Sequence, residues 1–86
     1  MGAVRRSEGV VTQLVDGKAF LLASGTTEMI VLNPVGAKVW EAVDGERTVE
    51  AIAGLLAPEF DEVQPAELER DIRAFLADLR KLNLVT

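Results

Sequence analysis

The chain has 86 residues, 49% hydrophobic and 27% charged, a composition that folds rather than staying disordered. Its formal net charge of −5 argues against sequence-independent nucleic-acid binding, which relies on Lys and Arg to neutralise phosphates. With no Cys and no His, a disulfide framework, a Cys/His zinc site and His-based catalysis are excluded.

One domain spanning 1–86 is expected at this length. Such a chain buries only about 60–65% of its unfolded surface, so nearly every large apolar residue is needed for the core. The N-terminal "MGAVRRSEG" lacks the apolar centre of a signal peptide and puts Arg6 where myristoylation needs Ser or Thr. No apolar run approaches the roughly 18 residues of a membrane span. A cytoplasmic protein with no membrane contact is expected.

The first third reads as strands. In "VVTQLV", Val11, Gln13 and Val15 share one face and Val10, Thr12 and Leu14 the other. Asp16-Gly17 is the favoured pair for a two-residue type I′ turn. "KAFLLA" follows, with Phe20 and Leu22 on one side and Ala19, Leu21 and Ala23 on the other. Ser24-Gly25-Thr26-Thr27 signals a second turn before "EMIVL". The pattern predicts a three-stranded antiparallel meander over about 9–32, with the third strand at an edge. That strand is apolar on both faces, Met29 and Val31 on one and Ile30 and Leu32 on the other. A small one-sheet domain usually gives one face to water.

The rest reads as helices. Asn33 caps the first, with Pro34 at the position where a missing N–H costs nothing. Val35, Val39, Trp40 and Val43 fall on one stripe, and Asp44-Gly45 stops the helix at about 43. Thr48 caps a second helix over about 49–57 with a stripe of Val49, Ile52, Leu55 and Leu56, and Pro58 ends it. Residues 59–64 form an acidic linker with one core anchor, Phe60. Pro65 opens the longest helix, over about 66–82, with a stripe of Leu68, Ile72, Phe75, Leu79 and Leu82. Asn83 suits a left-handed terminator, and Leu84 and Val85 can fold back on the core. The expected fold is α+β and winged-helix-like, a three-stranded antiparallel sheet followed by three helices packed on one face.

Signals of catalysis are close to absent. Ser7 and Ser24 have no His partner, and the scattered glycines form no phosphate loop. Glu59, Asp61 and Glu62 lack calcium-loop spacing and read as a solvated loop. No catalytic residue, metal or cofactor is expected. Trp40 could serve as a binding platform, but its place on the helical stripe favours the core. Leu76 lies about 70–80° off the centre of the long helix's stripe. Either the apolar face is simply broad, or part of the helix lines a groove. The third strand is the clearest functional signal. An apolar edge without internal Lys or Pro is an aggregation liability, so it is expected to pair with a second copy or to accept a peptide strand.

The run "LNPVGAKVWEAVDGERTVEAIAGLLAPEF" followed by "LERDIRAFLADLRKLNLV" resembles the PqqD-like domains. The matching features are Leu32-Asn33, Asp44-Gly45, Thr48-Val49, Asp71-Ile72, Phe75-Leu76 and Leu79, in that order. Asn83 stands where a Gly is usual. The resemblance implies a non-enzymatic recognition domain for the leader of a ribosomally made, post-translationally modified peptide. The leader would add as a strand along Glu28, Met29, Ile30, Val31 and Leu32. It would lie in a groove against residues drawn from Leu68, Asp71, Ile72, Phe75, Leu76, Asp78 and Leu79, with Ile72 and Leu79 alternatively core. Asp71 and Asp78 lie a helical face away from Leu76, so one flank is expected to border the groove, and the family pattern favours the Asp71 side. The free-standing form looks like the leader-binding partner of lasso-peptide biosynthesis, working beside a separate leader peptidase or modifying enzyme. Other readings are a precursor-peptide chaperone in pyrroloquinoline quinone synthesis, a winged-helix DNA-binding regulator, and a homodimer joined through the third strand.

Overall fold

The computed structural model describes residues 2–23, 25 and 27–86. Three strands, β1 (Val11–Val15), β2 (Lys18–Leu22) and β3 (Met29–Leu32), form an antiparallel sheet in the order β1-β2-β3. Asp16 and Gly17 both take positive φ, 53° and 79°, as a type I′ hairpin turn demands. Half of the expected second turn, Ser24 and Thr26, lies outside the described residues. Then follow α1 (Pro34–Ala42), α2 (Val49–Leu56), a 3-10 turn over Ala57–Glu59, and α3 (Pro65–Lys81). The α+β, winged-helix-like order expected from the sequence is the one observed.

The caps are local. The Asn33 side chain accepts the Gly36 N–H at 2.8 Å, and Thr48 Oγ1 accepts that of Ala51 at 3.1 Å. α1 ends at Ala42, close to the expected position, but Val43 is its cap and is already extended, and Gly45, at φ 84°, belongs to the following turn. There the Asp44 carboxylate accepts the N–H groups of Glu46 and Arg47. α2 ends before Pro58, as expected, and Pro58 sits in the 3-10 turn that follows it.

The helices cover one face of the sheet, where Ala19, Leu21 and Leu32 are buried. α1 does most of this work, lying against β2 and β3, while α3 packs chiefly on α2. Of the three helices expected on that face, α1 makes the extensive contact with the strands. α1 is short and carries small residues on its buried face; Ala37 is one, and Gly36 lets Phe75 of α3 approach the α1 backbone. Trp40 is fully buried at the centre. Its Nε1–H donates to Thr12 Oγ1 at 3.0 Å, and the Arg6 guanidinium stacks 4.6 Å from its ring centroid.

Three stripes shift from their expected centres. Val35, Leu55 and Leu82 are about half exposed, whereas Leu76 is 2% exposed and belongs to the core. Each helix is set on the core by its neighbours, which rotates the buried arc relative to the apolar count. Leu84 and Val85 do fold back and are buried, and Asn83 takes φ 63°. A segment without periodicity completes the fold. Val4 is buried, its N–H donates to the Arg47 carbonyl, and Arg6 bridges to Val85. Among the described residues, no helix is long and apolar enough to cross a membrane.

Candidate peptide-binding groove

β3 pairs only with β2 within the described sheet, which leaves its other edge without a neighbouring strand. Alternate residues of an edge strand turn N–H and C=O groups outward, the template for a further strand. Ile30 and Leu32 face the helices, with Leu32 buried, while Met29 and Val31 face away and are 59% and 53% exposed. Pro34 then turns the chain into α1, which places the first turn of α1 beside the strand's exit.

A cavity of about 470 Å³ opens between that exit and α3. Val31, Leu32 and Asn33 form one side, and Val35, Gly36 and Val39 of α1 the floor. Leu68, Asp71, Ile72 and Phe75 of α3 stand opposite, and Leu56, Phe60 and Val63 close the end. Gly36 permits this shape: a Cβ there would stand 3.1 Å from Phe75 Cζ, so the ring rests almost on the α1 backbone. Leu68, Asp71, Ile72 and Phe75 recur at i, i+3, i+4 and i+7, one face of α3.

The walls are apolar, with two polar side chains among them. Asn33 is engaged in capping α1. Asp71 is exposed and makes no ion pair or hydrogen bond among the described residues. Its nearest basic neighbours in sequence are committed elsewhere. Arg70 approaches Glu67 at 3.7 Å, and Arg73 joins Glu69 at 3.0 Å and Glu50 at 3.1 Å. Those two carboxylates, Glu69 first, hold the Arg73 guanidinium above its ordinary value. The groove therefore offers main-chain hydrogen bonding along one side, an apolar slot for alternate side chains, and one uncompensated negative charge.

Of the residues expected to form the site, Val31, Leu32, Leu68, Asp71, Ile72 and Phe75 lie together around the cavity. Glu28, Met29 and Ile30 continue the same edge without lining it. Leu76 and Leu79 do not reach it. Leu76 faces the N-terminal segment beside Val4 and Val49, and both leucines are 2% exposed. Asp78 shares the Asp71 flank but lies two turns, about 10 Å, further along the helix. Val35, Gly36, Val39, Leu56, Phe60 and Val63 were missed. Val35 alone carried a signal, an apolar residue one position past the strand's Asn-Pro exit. The others look like ordinary core.

The sequence profile of the family described as coenzyme PQQ synthesis protein D (PqqD) matches residues 18–85. No curated protein matches significantly. Among solved structures, TbiB1 in complex with the TbiA(beta) leader peptide aligns with TM-score 0.85 and 28% identity, over 94% of this chain and 93% of that one. The PqqD truncation of Methylobacterium extorquens PqqCD, described as a functional and stand-alone RiPP recognition element, aligns with TM-score 0.79 and 30% identity. That match covers 96% of this chain and 87% of the other. A lasso peptide synthetase B1 complexed with a leader peptide has TM-score 0.85 at 23% identity, over 98% of both chains, a likeness of fold.

Proposed function

The chain belongs to the PqqD family, and on that premise we propose that it is a non-catalytic leader-peptide recognition element. The leader of a ribosomally made precursor adds as a strand along Glu28 to Leu32. Its alternate side chains enter the slot against Leu68, Asp71, Ile72 and Phe75. The observation that carries this reading is the coincidence of an open β3 edge with an apolar cavity at its exit. The protein then raises the local concentration of the precursor at a separate enzyme, such as a leader peptidase of lasso-peptide biosynthesis. The complex of the similar TbiB1 with a leader supports the ligand class. A leader bearing Lys or Arg near the slot suits the unpaired Asp71.

A second reading is delivery of the precursor peptide in pyrroloquinoline quinone synthesis, favoured by the family's description and by the PqqD truncation at 30% identity. Both share the same groove and differ in the leader. The DNA-binding alternative loses support, because Arg70 and Arg73 of α3 are held by carboxylates rather than free for phosphates.

Calorimetric titration with synthetic leaders of the two classes tests the assignment. One class is expected to bind at micromolar affinity or better, and Asp71→Lys to weaken binding of a basic leader at least tenfold. Binding unchanged by both Asp71→Lys and proline in β3 would overturn the site.

A further inference from the structure

The outer face of the sheet, turned away from the helices, plays no part in the groove beyond its β3 edge. Its outward positions number three on β1, three on β2 and two on β3. Two rows cross it, Val11–Leu22–Met29 and Gln13–Phe20–Val31. Apart from Gln13 and Lys18, every outward side chain is apolar. Val11 and Met29 are 62% and 59% exposed. An antiparallel sheet with one solvated face normally alternates polar residues outward, and this one does not. Contiguous apolar patches of this kind mark interaction sites.

Charge narrows the partner. The chain carries a net −5, yet no outward strand position holds a carboxylate, and Lys18 is the one charged residue among them. On the other side, Asp71 and Asp78 stand at the surface of α3. Two acidic copies meet with least repulsion through their outer sheet faces.

We infer that a second copy of this chain packs on the outer face, sheet against sheet, about a two-fold axis. The sheets stack about 10 Å apart, with the Phe20 row of one copy against the Val11 row of the other. The contact is isologous, the same patch serving both copies. Eight outward side chains per copy fall short of the roughly 20–30 residues a side of a stable standard interface. The dimer is therefore weak, with a dissociation constant of about 10 μM to 1 mM. The α1 floor and α3 wall of the groove lie on the opposite side of the sheet, and of the outward residues Met29 and Val31 belong also to the β3 edge, so the cavity itself stays open in the dimer.

Sedimentation equilibrium of the full chain across that concentration range tests this. The average mass is expected to climb from 9.3 kDa toward twice that value. Val11→Lys with Phe20→Lys should hold it at one chain while leaving leader binding intact, since neither residue lines the groove. Val11→Lys alone, at a side chain already exposed, is expected to weaken the dimer at least fivefold, and it serves if the double variant folds poorly. Adding leader peptide should leave the dimer in place. Three results would each overturn the inference: one-chain mass throughout, which leaves the face to a different protein; a dimer indifferent to Val11→Lys; or a dimer dissolved by leader, which moves the contact to the β3 edge. Failure to bind any leader, with the dimer intact, would overturn the proposed function alone.

Discussion

Gly36 is where a single hydrogen atom decides the shape of the groove. Alanine there gains helix propensity of about 0.5–1 kcal/mol, but its methyl group meets the Phe75 ring. The ring is only partly buried and has the cavity to move into. Gly36→Ala is thus expected to change stability by less than about 1 kcal/mol in urea unfolding. Leader affinity should fall at least fivefold by calorimetry, because Phe75 then occupies the slot. Asp44 is the second position with a particular outcome. The N–H groups of Glu46 and Arg47, aided by the Arg47 charge, hold its carboxyl below the ordinary carboxylate range. A depressed folded pKa contributes stability that is complete above the unfolded value and is lost as pH falls through the folded one. Asp44→Ala should lower the urea midpoint at neutral pH, and the gap to the parent should shrink through the acid range below pH 4 or so.

At the scale of elements, β3 does two jobs, pairing with β2 on one side and offering its other edge. Adjacent residues of a strand send their N–H groups to opposite sides. Of Ile30→Pro and Val31→Pro, one removes a bond to β2 and the other a bond to the guest. One variant should lose thermal stability, and the other should fold as the parent does but lose leader binding by more than tenfold. Circular dichroism melts beside titration separate the two. Most elements were readable because each has a local cause: Asp16-Gly17 for the hairpin, Asn33-Pro34 and Thr48 for the caps, Pro65 for α3. Which arc of a helix is buried was less readable. Leu76 and Leu82 are equivalent by hydrophobicity, yet one is core and the other exposed, because the packing of α2 and the C-terminal turn chooses between them. The α3 wall of the groove was half legible for the same reason. The α1 floor was not, since Gly36 and Val39 carry no mark that separates a cavity lining from a filled core.

At the scale of the molecule, the least legible part is the N-terminal strap. Residues 4–7 have no period, so their burial follows only from partners distant in sequence. Val4 donates to Arg47 and accepts from Gly45, Ser7 donates to the Leu84 carbonyl, and the Arg6 guanidinium donates to the Trp40 carbonyl at 2.8 Å. Deleting residues 1–7 removes the burial of Val4, worth about 1.5–3 kcal/mol, together with these bonds. A loss of about 3–5 kcal/mol in urea unfolding is expected, a large share of the 5–15 kcal/mol typical of a whole domain. If the loss stays below about 1 kcal/mol, the strap is an ornament of the fold rather than part of it.

The same strap brings both ends of the described chain together, with Thr86 donating to the Arg5 carbonyl at 2.8 Å. That corner lies beside Leu76 and Arg80, across α3 from the slot. A tether attached at either end would leave from the back of the molecule and keep clear of an arriving peptide. Arg5 and Thr86 are close enough that a short linker could join the two ends of this chain, which could then be reopened at the Asp16-Gly17 turn, leaving every wall of the slot in its present place.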